Sequence, residues 1–375
     1  MNHNKLIMTP GPTEIEKNVL EAIAVNGTNP DLDPDFFESY LETVNNYNKL
    51  VGAENATTFL LSGEAILGLE AACASFIEDG DKVLCIANGV FGDGFKGFIE
   101  MYGGNVLLLE LPWHHGVKLE DVEAVVEAHS DIKAVTMVHC ETPSGITNNV
   151  SAICQYLRSK NIITIVDSVS AVGGETVDFD KSQIDVLLGG SQKCLSSPAG
   201  MTIVTLSDHA TTYLEDRESN IRGYYLNLKN WMGWYERKWF PYTQPLQNIL
   251  GLNQSILNLL DKNALEEHKT FAVLSRTALE RSGFELFAKT ERSNTVTTVK
   301  LPADIAFSDL FTRMKDHHCI LIGGGIGPLK DHVFRIGHMG ANNKPENMVR
   351  LFSALEETFN TLGHQCEGLS QNFKI

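Results

Sequence analysis

The sequence predicts an α/β protein with a mainly parallel sheet in a large domain, followed by a smaller α+β domain. Short runs of β-branched residues alternate with helical patterns in the first part of the chain, which is typical of a parallel sheet covered on both faces. From about Leu252 the pattern changes to a long helical stretch, a few strands and a last helix. The length of 375 residues favours more than one domain, and the apolar fraction of 43% allows a sizeable core.

The predicted elements follow in a regular order. An arm containing Pro and Gly leads to a helix from about Glu14, and an acidic stretch at 31–35 precedes a second helix. Strands are predicted at 57–61, 83–87, 134–139, 162–166, 186–188 and 201–206, with helices at 64–76 and 91–102. Towards the C-terminus the pattern predicts a helix through 263–281, strands at 295–299, 320–322 and 333–336, and a helix at 345–362.

Charge and cysteine usage narrow the class of protein. The net charge of -17, without a Lys/Arg cluster, argues against nucleic-acid or anionic-membrane partners and favours a small-molecule ligand. No segment approaches the roughly 18 apolar residues of a membrane span, and the N-terminus lacks a long apolar signal region. The seven cysteines include no C-x-x-C pair, so we expect free thiols, no metal site and a cytoplasmic location.

Two strand ends carry the residues with the clearest chemistry. Asp167 closes the apolar run that starts at Ile162, and Lys193 follows the run Asp185–Gly190. Because ligands of open α/β sheets bind at the carboxyl ends of the strands, the two side chains are expected to meet there. Pyridoxal chemistry requires such a pair: the lysine forms a Schiff base, and the carboxylate keeps the pyridine nitrogen protonated. Taken singly, each residue is also consistent with a helix cap or a surface lysine.

The motifs around this pair resemble those of the class V aminotransferases of fold type I, which include alanine–glyoxylate and serine–pyruvate transaminases. The resemblance covers essentially the whole chain and is carried by Thr142-Pro143-Ser144-Gly145, Val166-Asp167-Ser168-Val169-Ser170, Gly190-Ser191-Gln192-Lys193 and Arg335-Ile336-Gly337. It implies an N-terminal arm over 1–20, a large domain over 21–255 with a seven-stranded, mainly parallel sheet, and a small domain over 256–375. It also implies a homodimer or a dimer of dimers, with the site at the subunit interface.

The resemblance implies a role for each site residue. Lys193 is the Schiff-base lysine, Asp167 faces the ring nitrogen, Phe91 stacks on the ring and Thr142 lies beside the ring oxygen. Arg335 binds the substrate carboxylate, as a guanidinium fork can. Further cofactor contacts are implied for Glu64, Ala65, Gln192, Phe240 and Thr243, and further substrate contacts for Gly11 and Glu64. Without the family context, Phe91 is equally consistent with a core residue and Thr142 with an ordinary turn.

Two of the residues implied to contact the phosphate of the cofactor differ from the family pattern. Glu64 stands where relatives have Ser or Thr at a helix N-terminus, and Phe240 aligns with the phosphate-binding tyrosine of the neighbouring subunit. A carboxylate about 4 Å from one phosphate charge costs roughly 4 kcal/mol at an effective dielectric of 20. Both changes suit a ligand that ends in a hydroxymethyl group, whose proton Glu64 can accept. Alone, Glu64 is also consistent with an idle first-turn carboxylate.

Within the family, these features resemble the pyridoxamine–pyruvate transaminase subgroup, although Ile326 stands where that subgroup has a second arginine. The sequence therefore predicts transfer of an amino group between pyridoxamine and pyruvate, with pyridoxal or pyridoxamine bound as a substrate at Lys193. A conventional aminotransferase that uses pyridoxal phosphate and tolerates Glu64 is the alternative. Cysteine desulfuration is disfavoured because Cys319 is expected in the core. A vitamin-sensing regulator is disfavoured because no DNA-binding module is evident.

Overall fold

The computed structural model describes residues 5–366 and 368–374, and its strands lie in two main sheets. In chain order they are β1 (Leu6–Met8), β2 (Thr57–Ser62), β3 (Lys82–Ala87), β4 (Asn105–Glu110), β5 (Ile132–Val138), β6 (Cys140–Glu141), β7 (Ile146–Thr147), β8 (Ile163–Asp167), β9 (Val186–Gly190), β10 (Met201–Leu206), β11 (Val296–Lys300), β12 (Ile320–Gly324) and β13 (Val333–Gly337). The short strands β6 and β7 form a two-stranded ribbon of their own.

The α-helices cover both faces of the large sheet and build most of the C-terminal part. In chain order they are α1 (Lys17–Ile23), α2 (Pro34–Val51), α3 (Ile66–Phe76), α4 (Val90–Met101), α5 (Leu119–Ala128), α6 (Val150–Ser159), α7 (Phe179–Ser182), α8 (Asp208–Asp216), α9 (Trp234–Arg237), α10 (Leu246–Leu260), α11 (Ala264–Arg281), α12 (Phe307–His317), α13 (Pro345–Thr361) and α14 (Leu369–Asn372). Within the described ranges, no helix is both long and apolar enough to cross a bilayer.

The large sheet confirms the predicted α/β class. Its seven strands run in the order β2-β10-β9-β8-β5-β3-β4, and all neighbours pair in parallel except at β10. The six strands predicted for this region are present. The seventh, β4, is not among the predicted strands. It lies at the sheet edge and has only partly buried or exposed residues, so its sequence lacks the fully buried run that marks the central strands.

The small sheet contains a strand from the N-terminal arm. Its order is β1-β12-β13-β11, and β1 pairs in parallel with β12 through Leu6 opposite Ile320. The sequence prediction treats residues 1–20 as an arm and includes no strand there. A strand of three residues has no periodicity to recognise, and here it is fixed by its partner strand. The arm thereby links the C-terminal sheet to the edge of the large sheet where Lys193 lies.

Two further expectations need correction. The predicted helical stretch from about Leu252 is two helices, because the chain turns between Leu260 and Ala264 before α11 begins. Cys319, expected in the core, is only partly buried. It has a left-handed backbone with φ 55°, and its carbonyl accepts a hydrogen bond from Leu6 N at 2.8 Å. Its position at the turn before β12 explains the partial exposure.

Candidate active site

Asp167 and Lys193 lie together at the carboxyl edge of the large sheet. Asp167 is the last residue of β8 and is 6% exposed, and Lys193 lies three residues beyond the end of the neighbouring strand β9. Burial raises the pKa of Asp167 to about 6, although a hydrogen bond from Val169 N at 2.9 Å and the charge of Lys193 act in the opposite direction. The carboxylate is thus short of cationic partners, which suits a protonated pyridine nitrogen.

The amine of Lys193 has a lowered pKa. Burial is the main cause and the charge of Arg335 adds to it, while Asp167 and Glu64 oppose the shift. A lysine needs such a shift to act as a base or a nucleophile near neutral pH, since its ordinary pKa leaves it protonated. The site therefore gives Lys193 the electrostatic environment that a proton-transferring amine requires.

The N-terminal arm holds the turn that carries Lys193. Lys193 Nζ donates a hydrogen bond to Pro10 O at 3.0 Å, and Thr13 Oγ1 donates one to the carbonyl of Lys193 at 2.9 Å. Gly11 adopts φ +89°, and a Cβ atom at this position would lie 2.4 Å from Lys193 Cδ. The predicted contact residue Gly11 thus lies directly against the lysine side chain, where both its conformation and the available space favour glycine. Thr13 was not among the predicted site residues.

Phe91 and Thr142 approach the same edge of the sheet from two loops. Phe91 lies in the first turn of α4 and is half-buried, and Thr142 is buried immediately after β6. A buried carboxylate that the sequence analysis missed connects the two loops. Glu141 accepts hydrogen bonds from Gly92 N at 2.6 Å and from Phe91 N at 3.3 Å. The sequence does contain a signal for this residue, because the glutamate follows a buried strand and directly precedes the turn motif Thr142-Pro143-Ser144-Gly145.

Arg335 supplies a cation from the four-stranded sheet. It lies on β13, is 9% exposed, and its Nε donates to Gly324 O at 2.7 Å. Burial lowers its pKa to about 10, which leaves the guanidinium charged at neutral pH. Among the residues that the structure describes, no carboxylate forms a salt bridge with it. A buried guanidinium without an anionic partner is suited to binding the carboxylate of a small acid.

Glu64 occupies the N-terminus of α3 with its own side chain. One carboxylate oxygen accepts a hydrogen bond from Ile66 N at 3.0 Å, and the other accepts one from Gln192 Nε2. The Glu64 side chain is exposed, and its charge acts to raise the pKa of both Asp167 and Lys193. The predicted residue Ala65 is buried beside it at the start of the helix.

Phe240 and Thr243 do not join this group within the protomer. The Phe240 ring stacks on Phe37 at a centroid distance of 4.7 Å and is 5% exposed, so aromatic packing holds it in the core of its own chain. Thr243 is exposed and donates to Asp31 at 2.7 Å. Tyr242, between them in the sequence, does reach the segment before α3, because its hydroxyl accepts a hydrogen bond from Ser62 N at 3.3 Å.

The chain that carries this site matches one protein family over most of its length. The family described as "Aminotransferase class-V" matches residues 11–331, which contain Asp167 and Lys193. The chain belongs to the class-V aminotransferase family. It is therefore a transaminase by family, and family membership implies pyridoxal phosphate chemistry.

Curated relatives of this aminotransferase match nearly its whole length. An uncharacterized aminotransferase of Methanocaldococcus jannaschii is 34% identical, over 96% of this chain and 94% of its own. The pyridoxamine–pyruvate transaminase of Mesorhizobium japonicum is 29% identical, over 96% of this chain and 93% of its own. The alanine–glyoxylate aminotransferase of Felis catus is 28% identical, over 94% and 87%.

Solved structures show the same fold. The ureidoglycine–glyoxylate aminotransferase of Bacillus subtilis superposes with a TM-score of 0.95 at 28% identity, covering 100% of this chain and 97% of the other. The pyridoxamine–pyruvate aminotransferase of Mesorhizobium loti gives 0.94 at 27% identity, with the same coverage of 100% and 97%. The aminotransferase therefore has the fold-type I architecture over its described length.

The residues at the site fit the pyridine ring of the family's cofactor better than its phosphate. Asp167, Lys193 and Phe91 supply the carboxylate, amine and aromatic face that the ring requires. At the start of α3, the exposed acceptors are the oxygens of Glu64, and Gln192 Oε1 is buried without a partner among the described residues. A phosphate dianion is itself an acceptor and has no proton to donate, so it cannot pair with these oxygens, and the hydroxyl of Tyr242 is a donor that remains nearby.

Proposed function

We propose that this aminotransferase transfers the amino group of unphosphorylated pyridoxamine to pyruvate, giving pyridoxal and L-alanine. The observation that carries the proposal is the carboxylate of Glu64 bound to Ile66 N and Gln192 Nε2. In that position it takes up donors that would otherwise face a phosphate, and it adds a negative charge where a phosphate would lie. The 5-hydroxymethyl group of pyridoxamine can instead donate its proton to Glu64 or to the free Gln192 Oε1.

The ring would lie between Phe91 and the carboxyl edge of the sheet, with its nitrogen at Asp167. When bound, the ring supplies an electron sink and an exocyclic carbon that exchanges an amino group with the acid. Asp167 would hold the proton on the ring nitrogen. Lys193 Nζ would move the proton between that exocyclic carbon and the α-carbon of the acid, which its lowered pKa favours. Arg335 would bind the carboxylate of pyruvate or alanine.

Similarity to known proteins supports the same assignment. The relative named pyridoxamine–pyruvate transaminase aligns over 96% of this chain, and the solved structure of that name superposes with a TM-score of 0.94. Ile326, which is 36% exposed, is the position that departs from this subgroup, and it leaves Arg335 as the residue proposed to bind the carboxylate of the acid.

A conventional pyridoxal-phosphate-dependent transaminase of the alanine–glyoxylate type is the second candidate. It is favoured by the alanine–glyoxylate aminotransferases among the relatives, at 28% identity. The ring-binding residues serve both reactions equally, so the two candidates differ at the phosphate end of the site, where Glu64 and Phe240 depart from the family pattern. In the second candidate, Glu64 must leave Ile66 N and swing away from the helix when the phosphate binds.

A direct comparison of ligands tests the proposal. Binding and turnover with pyruvate are measured for pyridoxamine and for pyridoxamine phosphate on the same preparation, and protein as purified is examined by mass spectrometry after borohydride reduction. We expect turnover with pyridoxamine and much weaker binding of the phosphate. A stoichiometric phosphorylated adduct on Lys193, retained through dialysis, would instead establish the second candidate.

We also propose that the enzyme assembles as a homodimer or a dimer of dimers. Phe240 and Thr243 lie outside the protomer's own site, and Tyr224, Tyr225 and Trp239 are large exposed aromatic side chains in the same region of the sequence. Light scattering on the purified protein measures the mass directly. A monomer at working concentration that keeps full activity would overturn this proposal.

A further inference from the structure

Glu141 is a buried carboxylate that has no role in the reaction as described above. Its side chain is fully buried. Both oxygens face the start of α4, where Oε1 accepts from Gly92 N at 2.6 Å and Oε2 from Phe91 N at 3.3 Å. In the part of the chain that the structure describes, its recorded side-chain partners are these two backbone groups and no cation. The carboxylate therefore holds the first turn of the helix that carries Phe91.

The neighbouring backbone is built around this carboxylate. A Cβ atom on Gly89 would lie 2.2 Å from Glu141 Cδ, and one on Gly92 would lie 3.4 Å from Oε1 and 2.7 Å from Ile86 O. Glycine at 89 and 92 thus lets the helix start lie directly on the carboxylate. A side chain at either position would push Phe91 away from its present place.

The energetics show that this contact is costly to keep. Burial raises the pKa of Glu141 to about 7, the two N–H groups oppose the shift, and the charge of Asp167 adds to it. A buried carboxylate with no cationic partner carries a desolvation penalty that an apolar or amide side chain would avoid. The gain lies in geometry: two acceptors on one rigid group fix two consecutive amides, and with them the direction of the Phe91 side chain.

We propose that Glu141 is a positioning residue that sets the Phe91 ring against the pyridine ring of the substrate. The inference rests on the proposed function in taking Phe91 as the stacking partner of that ring. Glu141 touches neither substrate nor reacting atoms in this scheme, and acts only through the first turn of α4. Its substitution should therefore disturb the orientation of the bound ring and should have little further effect once Phe91 is gone.

The test uses four variants of the full-length enzyme. Glu141→Gln replaces one acceptor oxygen with an NH2 group, which cannot accept a hydrogen bond from a backbone N–H, and Phe91→Leu removes the stacking ring. The double variant completes a cycle. Glu175→Gln is the matched control, because Glu175 is also buried, with 6% exposure, and also accepts from a backbone amide, Asn294 N at 2.5 Å, but has no recorded contact with α4.

Two readouts separate positioning from general damage. Pyridoxal is fixed covalently on Lys193 by borohydride, the occupancy is counted by mass spectrometry, and induced circular dichroism is measured per mole of adduct. KM for pyridoxamine and kcat are measured in parallel. We expect Glu141→Gln to lose most of the induced signal at full occupancy and to raise KM roughly tenfold, the value of about one hydrogen bond. Glu175→Gln should match the wild type in both readouts.

The cycle decides whether the effect passes through Phe91. We expect the loss in the double variant to be smaller than the product of the two single losses by roughly two- to tenfold, as for coupled residues. Independent, multiplicative losses, or equal damage by Glu175→Gln, would overturn the proposal. If Glu141→Gln does not fold, Glu141→Asp takes its place. It keeps the charge but withdraws the oxygens, and an unchanged ring signal in it would also overturn the proposal.

Failure of the proposed function remains distinguishable in this design. If the wild type forms its adduct with pyridoxal phosphate and not with pyridoxal, the substrate assignment is wrong. The same cycle is then measured on the phosphorylated adduct, and the Glu141 proposal stands or falls on that result alone.

Discussion

Gln192 donates a hydrogen bond from its amide nitrogen to the carboxylate of Glu64. The residue that precedes Lys193 is thereby tied to the N-terminus of α3, so the two ends of the ring site are coupled by one contact. The amide oxygen of Gln192 stays buried without a partner in the described part of the chain. A ligand that can donate a proton satisfies this acceptor, and a ligand that can only accept does not.

The first prediction concerns the charge of Glu64. Glu64→Ser should bind pyridoxal phosphate more tightly than the wild type, by tenfold or more, since removing a carboxylate near a phosphate removes a repulsion of a few kcal/mol even after solvent screening. The same variant should bind pyridoxal more weakly, by about 1.5–3 kcal/mol, the value of one charge-assisted hydrogen bond. Fluorescence titration of both ligands measures the two affinities.

The matched control for this prediction is Glu120→Ser. Glu120 is an exposed carboxylate in the first turn of α5, so its removal changes the net charge and a helix start without touching the site. It should leave both affinities unchanged. If Glu64→Ser moves the two ligands in the same direction, Glu64 does not discriminate between them.

The second prediction concerns Lys193. Lys193→Ala should abolish transamination, because the amine that moves the proton is lost, and borohydride should no longer attach pyridoxal to the protein. The fold should persist, with circular dichroism and thermal midpoint close to those of the exposed-lysine control Lys181→Ala. Substantial turnover in Lys193→Ala would remove the central assignment of the site.

The third prediction concerns the acid. Arg335→Met should raise KM for pyruvate roughly a hundredfold, since a charge-assisted hydrogen-bonded pair is worth on the order of 2–3 kcal/mol. The affinity for pyridoxamine should change little, because Arg335 faces the acid and not the ring. Steady-state kinetics with one substrate varied at a time separates the two. Arg350→Met, an exposed arginine on α13, serves as the control, and a matching loss of pyridoxamine affinity in Arg335→Met would contradict the assignment.

The position of a residue in the fold could be predicted from the sequence where it follows from the pattern of apolar residues nearby. Asp167 and Lys193 close or follow fully buried strands, so their meeting at one sheet edge followed from the parallel topology. Glu64 was recognisable because a carboxylate at a helix start stands out chemically. The pairing of β1 with β12, the contact of Lys193 with Pro10 and the contact of Glu64 with Gln192 each join residues more than a hundred positions apart, which no local periodicity encodes.

Long-range packing also decides the surroundings of Phe240 and Glu141. The implied contact of Phe240 with the site of the neighbouring subunit stays a prediction; within its own protomer the Phe240 ring is stacked on Phe37, about two hundred residues earlier in the chain. Glu141 was overlooked because a glutamate beside a turn is ordinarily solvated. Its burial results from the way α4 begins on top of it.

The last prediction concerns Asp167 and the pH dependence of stability. Burial raises its pKa from 3.8 to about 6 in the folded, ligand-free protein. Between about pH 4 and pH 6 the folded state then binds more protons than the unfolded state, so this group's contribution to stability is present below pH 4 and is lost as the pH rises through 6. Asp167→Asn removes the buried charge, so the variant does not lose this stability as the pH rises. At pH 8 the ligand-free variant should therefore be more stable than the wild type, by about 1–3 kcal/mol.

The same variant should be a poor enzyme, slower by on the order of a hundredfold or more, because a neutral amide cannot stabilise the protonated ring. Urea denaturation at pH 4.5 and pH 8, together with turnover measurements, checks both halves. The difference in stability between variant and wild type should be larger at pH 8. The control Asp208→Asn, at an exposed aspartate in the first turn of α8, should follow the wild type at both pH values. A gain of stability together with a loss of rate is what we expect of a charge that is kept buried for its ligand. A variant that is less stable than the wild type at pH 8 and still turns over normally would show that the carboxylate serves the fold and not the ring.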